Sequence, residues 1–339
     1  MDVVKIVGLN FFHFFVGLMV TVVLGFLFVY LVTPFLAGFL FKKGVFGVDI
    51  HKPEKPKIPE MAGVSIVFGL VLCSAFSMFY FLSLKFLAYI LTVFIACLIG
   101  VLDWFKRLGA WHKIVLAALA SIPILALGTY YPYPTLPFIG KLRLTILYPL
   151  VFVPILVTLL SNAINMIDVF NGSMAGTSTI SAVFLAVIAF FLGRFEAVLM
   201  YAAIASCTYA FYLHNRYPAK VFSGDAGSLA VGAAFAAASI IGRMEVVTLF
   251  ALLPALINGS LTLTSLGGVR ERHDIKVRPI ILLENCSLAA NPSKKAPITL
   301  TRLLVASSPL KEVEVVKSFF VLSVFSGFLA FATAVFMVV

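Results

Sequence analysis

Residues 149–172 read PLVFVPILVTLLSNAINMIDVFNG and pass from an apolar run into a series of amides and one carboxylate. The apolar part has the composition of a membrane helix. Polar side chains then follow at intervals of three residues, at Asn162, Asn165, Asp168 and Asn171. On a helix this spacing gives a slowly drifting stripe, and lipid offers such groups no hydrogen-bond partner. The stretch therefore predicts a membrane helix that ends in either a packing stripe or a functional site.

The composition of the whole chain extends this interpretation. Of 339 residues, 62% are hydrophobic and 12% are charged, and the mean hydropathy is +1.11. These values exclude a soluble protein and predict an all-α polytopic membrane protein. We expect a single integral membrane domain over residues 1–339, with the lipid bilayer and no nucleic acid among its partners. The four cysteines have no paired spacing, so neither a disulfide nor a zinc site is predicted.

Apolar runs predict about ten transmembrane helices. They are expected at residues 9–39, 63–82, 86–102, 114–129, 147–166, 175–193, 197–213, 228–242, 246–266 and 318–338. The connections that alternate with these helices differ in charge. One set, at residues 41–62, 102–113, 162–174, 214–227 and 267–317, holds 19 of the 25 lysines and arginines. Positive charge marks the cytosolic side, which predicts that this set faces the cytosol and both termini face away from it.

The first cytosolic connection is rich in lysine and proline. Three prolines between residues 53 and 59 exclude a helix there. Its five lysines suit either a solvated positive-inside loop or the binding of phosphates. Glu60 directly precedes the second predicted membrane helix, which makes it a candidate site residue.

Two further connections place carboxylates at membrane edges. Asp103 ends the third predicted helix, where a carboxylate is costly unless it is paired with Lys106 or Arg107 or binds a metal. Lys113 opens the next helix, where a cation is unfavourable and suggests a nearby anion. Residues 224–228 read Gly-Asp-Ala-Gly-Ser before another apolar run. This pattern fits a simple helix cap, or a site at which Asp225 binds a hard cation and Gly224 allows close backbone approach.

The last cytosolic connection begins with a basic cluster. It contains Arg270, Arg272, His273, Lys276 and Arg278, which suits phosphate recognition or simple positive-inside charge. Residues 277–283 have strand composition and predict a small β-hairpin. Together the connections provide carboxylates, amides and a cationic rim. This combination is typical of Mg²⁺-dependent phosphoryl transfer between a soluble pyrophosphate donor and a lipid phosphate.

Several segments resemble the polyprenyl-phosphate N-acetylhexosamine-1-phosphate transferases, also called glycosyltransferase family 4, and most closely their dolichyl-phosphate branch. The matching segments occur in the family's order over nearly the entire chain. They are residues 57–63 (KIPEMAG), 100–103 (GVLD) with 112–113 (HK), 162–165 (NAIN) with 170–172 (FNG), 212–225 (YLHNRYPAKVFSGD) and 272–273 (RH).

The resemblance implies transfer of N-acetylglucosamine 1-phosphate from UDP-N-acetylglucosamine to dolichyl phosphate, with release of UMP, as the first membrane step of N-glycan assembly. It implies Mg²⁺, with Mn²⁺ as a substitute, a cytosolic active face, and a homodimer. The membrane would be the plasma membrane in a prokaryote or the endoplasmic reticulum in a eukaryote. Another UDP-N-acetylhexosamine or another polyprenyl phosphate is the alternative within this class.

The resemblance also implies a role for each matching residue. Asn171 and Asp225 would hold the metal, and Phe222 would stack on uracil. Lys113, Arg272 and His273 would contact the donor phosphates, and Glu60 would lie near the lipid phosphate. Asp103 would lie near the reacting lipid phosphate and the metal, as a base or as an electrostatic orienter. In this interpretation Asn162 and Asn165 hold the helix end and the loop in place.

Three positions depart from the family's pattern. Trp104 replaces the second of two adjacent aspartates, and Asp274 stands where an arginine is usual, with Lys276 and Arg278 nearby as substitutes. Val169 replaces a small residue. Asp168 would compensate for the carboxylate missing at Trp104. The departures leave open a catalytically impaired paralogue that acts as a scaffold. A transporter is disfavoured, because the chain shows no internal repeat and its polar residues gather at one edge of the membrane.

Overall fold

The computed structural model describes residues 11–52, 54–269, 275 and 277–338, and in these ranges the protein is a bundle of helices with three small sheets. The helices are α1 (Phe11–Lys42), α2 (Val64–Phe81), α3 (Lys85–Lys106), α4 (Ala110–Leu119), α5 (Ile122–Ala126), α6 (Val153–Ile167), α7 (Ser173–Phe191), α8 (Phe195–Asn215), α9 (Gly224–Gly242), α10 (Glu245–Ala251), α11 (Leu253–Ser265), α12 (Leu300–Leu304) and α13 (Glu312–Val338). A π-helical turn, Tyr148–Phe152, leads directly into α6.

The predicted polytopic membrane architecture is confirmed. Among the described residues, eight helical segments are long and apolar enough to cross a membrane, and α10 with α11, bent by 77°, makes nine if the pair counts as one broken span. The predicted fourth helix, residues 114–129, is instead the apolar segment Trp111–Ala126, which is shifted by three residues and divided into α4 and α5. Both interrupted segments restart at a proline in the second position, Pro123 in α5 and Pro254 in α11. Proline lacks the backbone N–H that a continuing helix would need, which favours a new helix start there.

The strands form two hairpins and one three-stranded sheet, all antiparallel. They are β1 (Phe46–Val48), β2 (Lys57–Pro59), β3 (Thr135–Leu136), β4 (Gly140–Lys141), β5 (Ile280–Leu282), β6 (Ser287–Ala290) and β7 (Leu310–Lys311). The β5–β6 pair confirms the hairpin predicted in the last connection. The proline-rich first connection forms the β1–β2 hairpin, in which Phe46 pairs with Pro59.

Helix α9 lies at the centre of the bundle, where it packs against α3, α6 and α8. In the most apolar 18 residues of α9, 89% of the residues are buried, compared with 22% in the corresponding part of the peripheral helix α1. Small residues allow this position, because without large side chains the helix backbones can approach closely. A Cβ atom added to Gly100 of α3 would lie 2.4 Å from the backbone of Ala226 in α9. The Ala-rich composition of α9 thus determines how close its neighbours come.

The connections separate into two groups at opposite ends of the bundle. At one end, Asn171 in the α6–α7 connection contacts Asp49 in the α1–α2 connection and Glu312 at the start of α13. At the other end, Lys85 at the start of α3 contacts Glu196 at the start of α8. The end that contains Asn171 carries the candidate site.

Candidate active site

Asp103 and Lys113 form an ion pair between the end of α3 and the start of α4. Their Oδ2 and Nζ atoms are 2.7 Å apart, and Asp103 Oδ1 accepts a hydrogen bond of 2.9 Å from the backbone N–H of Leu108. Asp103 is therefore not paired with Lys106 or Arg107, the partners expected one turn away. It is also the anion that offsets the unfavourable cation at the start of α4.

Asp225 lies beside this pair, at the second position of α9. Its Oδ2 atom is 3.8 Å from Lys113 Nζ, and its carboxyl group is within hydrogen-bonding reach of Asp103. Gly224 precedes it with φ +66°, a conformation that favours glycine. The Asp225 side chain is 41% exposed, whereas that of Asp103 is 7% exposed. A ligand that enters from this end of the bundle therefore meets Asp225 directly.

Asn165 completes the group, which we call the carboxylate cluster: Asp103, Lys113, Asn165 and Asp225. The Asn165 amide donates to Asp225 Oδ1 at 2.9 Å and to Ser228 Oγ at 2.8 Å. Sequence reasoning gave Asn165 a purely structural role, yet it is the amide of the opening stripe that contacts Asp225. Its position in the last turn of α6, facing α9, was not evident from the spacing alone. Among the described residues, the Asn162 side chain bonds within its own helix, to the carbonyl of Thr158.

Asn171 belongs to a second polar group, which we call the loop network: Asp49, Lys52, Asn171, Asn215 and Glu312. The Asn171 amide donates to Asp49 Oδ2 at 3.1 Å, and its backbone N–H donates to Glu312 Oε1 at 2.9 Å. The next N–H, of Gly172, donates to Asn215 Oδ1 at 3.1 Å. With a φ of +84°, Gly172 makes the turn into α7. The Asn171 side chain thus contacts Asp49. Among the described hydrogen bonds, none joins it to the carboxylate cluster.

Asp49 and Glu312 lie at the same end of the bundle as the candidate site, and the sequence did not single them out. Asp49 is 3% exposed and pairs with Lys52 at 2.6 Å. Burial by itself raises the pKa of Asp49, but hydrogen bonds from Lys52 and Asn171 outweigh it and hold the pKa below its usual value. Asp49 was hidden among lysines in a loop predicted to be solvated, and Glu312 lay just before an apolar run. Their only sequence signal was a carboxylate beside a membrane edge.

Asp168 and Phe222 lie around the carboxylate cluster. Asp168 accepts a hydrogen bond from Ser223 Oγ, two residues before Asp225. The Phe222 ring packs on Gly47 of β1, where an added Cβ would lie 3.2 Å from the ring and 3.4 Å from Glu60 Oε2. Phe222 is also joined to the hairpin through its N–H, which donates to the carbonyl of Pro59 at 2.8 Å. Phe222, predicted to bind uracil, and Glu60, predicted to lie near the lipid phosphate, are therefore neighbours beside β1.

The remaining predicted site residues come from the last connection. Arg272, His273 and Lys276 lie outside the described residues. Arg278 is exposed just before β5, and its carbonyl accepts a hydrogen bond from Asn291.

The carboxylate cluster fits a magnesium ion that is shared with a diphosphate. Within the described ranges, no three His, Cys, Asp or Glu side chains are grouped to hold a metal by themselves. Mg²⁺, however, is usually bound through one or two carboxylates together with substrate phosphates and water. The Asp225 side chain is 41% exposed and lies next to Asp103, so the two carboxylates repel each other. Lys113 Nζ, 2.7 Å from Asp103 and 3.8 Å from Asp225, offsets this repulsion with a single positive charge. The donor set therefore suits a cation that a substrate helps to bind.

The structure thus combines a polytopic helical membrane protein with two adjacent carboxylates and a lysine at one end of the bundle. Residues 86–243 match the family described as glycosyl transferase family 4. Phospho-N-acetylmuramoyl-pentapeptide-transferase of Halalkalibacterium halodurans is 30% identical over 253 residues, which are 68% of this chain and 76% of that protein. The chain belongs to glycosyl transferase family 4 and is a phosphoglycosyl transferase.

Two archaeal relatives are also similar. A protein of Methanocaldococcus jannaschii, provisionally named a glycosyltransferase, is 29% identical over 319 residues, which cover 93% of this chain and 96% of that protein. A protein of Sulfolobus acidocaldarius is 29% identical over 249 residues, covering 71% and 76% of the two chains. Its provisional name is UDP-N-acetylglucosamine–dolichyl-phosphate N-acetylglucosaminephosphotransferase.

Proposed function

We propose that this protein transfers N-acetylglucosamine 1-phosphate from UDP-N-acetylglucosamine to a polyprenyl phosphate of the dolichyl type, and releases UMP. An oxygen of the lipid phosphate attacks the sugar-bound phosphorus of the donor. A new P–O–P bond forms there, and the bond to the UMP phosphate breaks. The observation that carries the proposal is the carboxylate cluster, in which one lysine and one amide surround an exposed and a buried aspartate at a membrane edge.

The metal site is proposed at Asp225, with Asp103 beside it and Asn165 as the neighbouring amide, where the sequence alone suggested Asn171. Bound Mg²⁺ would neutralise charge on the donor diphosphate during transfer. Asp225 is open to a ligand, and its Oδ1 atom already accepts from Asn165 at 2.9 Å. Mn²⁺ would serve as a substitute. The pair Asn171 and Asp225 stays a prediction that the variants described in the Discussion test.

Lys113 is proposed to contact the donor phosphates. It lies between Asp103 and Asp225, and a donor phosphate would offer it a further anion at the exposed side. Asp103 orients Lys113 and lies near the lipid phosphate, which is ionised enough at neutral pH to attack without a strong base. Gly224 and Phe222 would contact the uridine of the donor, and Glu60 would lie near the lipid phosphate. Arg272, His273, Lys276 and Arg278 remain proposed contacts for the donor.

Trp104 replaces a carboxylate that the family usually has, and Asp168 is proposed to compensate. Trp104 packs edge-on against Phe105, with ring centroids 5.0 Å apart. Asp168 is hydrogen-bonded to Ser223, close in sequence to Asp225. An Asp168→Asn variant with full activity would remove the idea of compensation.

The setting of the reaction is part of the proposal. The carboxylate cluster would face the cytosol, in the plasma membrane of a prokaryote or the endoplasmic reticulum of a eukaryote, and the product would begin N-glycan assembly. The lysine-rich connections at this end support cytosolic orientation. The single domain over residues 1–339 and the homodimer are likewise proposed.

The test is direct. Purified protein is incubated with UDP-N-acetylglucosamine, dolichyl phosphate and Mg²⁺, and UMP and the lipid product are measured. We expect product from the wild type, none after chelation of Mg²⁺, and at least a ~100-fold lower rate for Asp225→Asn. Glu54→Gln, which changes an exposed acid at the same end, is the matched control and should keep the wild-type rate.

A different donor or lipid is the second candidate within this class. The relatives' names specify a dolichyl-phosphate acceptor in one case and an N-acetylmuramoyl-pentapeptide group in another. The same assay with other UDP-N-acetylhexosamines and with undecaprenyl phosphate separates these substrates. Absence of product with every UDP-sugar and polyprenyl phosphate would refute the enzymatic proposal and favour the impaired scaffold.

A further inference from the structure

A polar cavity of about 400 Å³ lies at the end of the bundle opposite the carboxylate cluster. The starts of α3 and α8, the end of α9 and the segment after α5 surround it. Its charged residues are Lys85, Arg194, Glu196 and Arg243, and its aromatic residues are Tyr130, Tyr131 and Phe195. The volume is within the range of roughly 300–1,000 Å³ that is common for small-molecule sites.

The cations of this end are concentrated in the cavity. The connections at this end contain only five described basic residues: Lys85, Lys141, Arg143, Arg194 and Arg243. Three of the five line the cavity. Orientation in the membrane requires few positive charges on this side. The convergence of most of them at one place therefore needs an explanation other than topology.

The carboxylates of the cavity are already engaged. Glu196 accepts from Lys85 Nζ at 2.8 Å and from Ser83 Oγ at 3.0 Å. Glu245, two residues after Arg243 in the chain and 1% exposed, accepts a hydrogen bond from Tyr148. These bonds fix both carboxylates to groups other than the two arginines.

Arg194 and Arg243 interact with Glu245 at longer range but form no direct ion pair among the described residues. Within the described part of the chain, neither guanidinium has a carboxylate within 4.0 Å. Arg243 stacks on the Tyr131 ring at 3.9 Å, which leaves its N–H edges free to bind a ligand. Partial desolvation and the like charge of Arg243 lower the pKa of Arg194, and Glu245 opposes this shift. Two neighbouring arginines repel each other, and a bound anion would relieve that repulsion.

We propose that this cavity binds the phosphate group of an anionic ligand through Arg194 and Arg243. Guanidinium groups suit this class of ligand, because their planar N–H edges match two oxygens of one phosphate. Lys85 adds positive charge at the rim, and Tyr131 holds Arg243 in position. The phosphate belongs either to a lipid head group or to a free anion. The site is independent of the proposed transfer reaction, which takes place at the other end of the bundle.

The experiment measures ligand-induced thermal stabilisation of the full-length protein by intrinsic tryptophan fluorescence. One arm compares nanodiscs of phosphatidylcholine with nanodiscs that also contain phosphatidylglycerol. The other arm titrates inorganic phosphate into the phosphatidylcholine nanodiscs, with sodium chloride at matched ionic strength. We expect stabilisation of the wild type in one arm, and that arm identifies a lipid head group or a free anion as the source.

The variant R194Q/R243Q should weaken the apparent affinity in that arm by about tenfold or more, as the loss of charge-assisted hydrogen bonds predicts. R143Q removes an exposed arginine from the same end but outside the cavity, and is the matched control that should keep the wild-type response. All three proteins should keep phosphoglycosyl transfer activity, which also shows that they fold. R243Q alone serves if the double variant does not fold.

Two results would overturn the proposal. An equal loss of response in R143Q would show a general effect of surface charge. Absence of stabilisation of the wild type in both arms would show that the cavity does not bind a phosphate group. Neither result depends on whether the transfer reaction uses the proposed substrates.

Discussion

Asn165 and Asn171 lie six positions apart in one polar stretch, yet their side chains belong to different groups. Asn165 donates to Asp225 at 2.9 Å, and Asn171 donates to Asp49 at 3.1 Å. Helix α6 ends at Ile167, so the regular stripe of the sequence stops between them. The two amides therefore have different consequences for function when they are removed.

We predict that Asn165→Ala raises the Mg²⁺ concentration needed for half-maximal activity, because Asn165 borders the proposed metal site. Asn171→Ala should instead lower the thermal midpoint, since a charge-assisted hydrogen bond to Asp49 is worth about 1.5–3 kcal/mol. Mg²⁺ titrations of activity and thermal melts of both variants provide the measurement. A shifted Mg²⁺ response of Asn171→Ala at an unchanged thermal midpoint would restore the original metal assignment.

Among the helices, the contact between α3 and α9 places the two aspartates side by side. Asp103 lies in the last turn of α3 and Asp225 in the first turn of α9, and three residues before Asp103 the backbones meet at Gly100. An added Cβ there would lie 2.4 Å from Ala226 and 2.5 Å from the carbonyl carbon of Asp225. The separation of the aspartates consequently depends on a glycine that carries no chemistry.

Gly100→Ala is predicted to lower both activity and stability, because the obstructing atoms are backbone and cannot move away as a flexible side chain would. Overpacking of this kind typically costs about 1–3 kcal/mol. Gly38→Ala is the matched control, as an added Cβ there has no neighbour within 4 Å. The rate of product formation and the thermal midpoint of both variants check the prediction. Wild-type behaviour of Gly100→Ala would mean that the α3–α9 contact does not position the site.

In the molecule as a whole, the two ends of the bundle carry different polar groups. One end carries the carboxylate cluster and the loop network, and the other carries the arginine-lined cavity. Among the described residues, the chain passes from one end of the bundle to the other ten times if the segment Trp111–Ala126 and the bent α10–α11 pair each count as one crossing beside the eight long helical segments. The proposed cytosolic orientation then applies to every connection at once.

Cys286 provides a test of that orientation. It is exposed between β5 and β6, at the end of the bundle that carries the carboxylate cluster, whereas Cys73, Cys97 and Cys207 are buried. We predict that a membrane-impermeant maleimide labels Cys286 in inverted vesicles and not in intact cells or right-side-out vesicles. Cys286→Ser should abolish labelling, and Lys141→Cys in that background should be labelled from the opposite side. Labelling of Cys286 from outside would reverse the orientation.

Composition and motifs were enough to predict the class of protein, most helix boundaries and the types of residue at the site. These are local properties, because an apolar segment is committed to the membrane by its own length and composition. The matching motifs likewise pointed to Asp103, Lys113 and Asp225 before their contacts were known. The extra breaks after α4 and α10 escaped prediction, since apolar character continues through both.

The contacts between the polar groups, by contrast, depend on how the whole chain folds. Asn165 and Asp225 are 60 residues apart in the chain, and Asn171 and Glu312 are 141 apart. Neither pairing follows from local periodicity, because the first depends on how α6 packs on α9 and the second on how α7 packs on α13. The same holds for Arg194 and Arg243, which belong to different turns and share a cavity only because α8 and α9 are neighbours. Helices are specified segment by segment, whereas a site is specified by the small residues that set the distances between them.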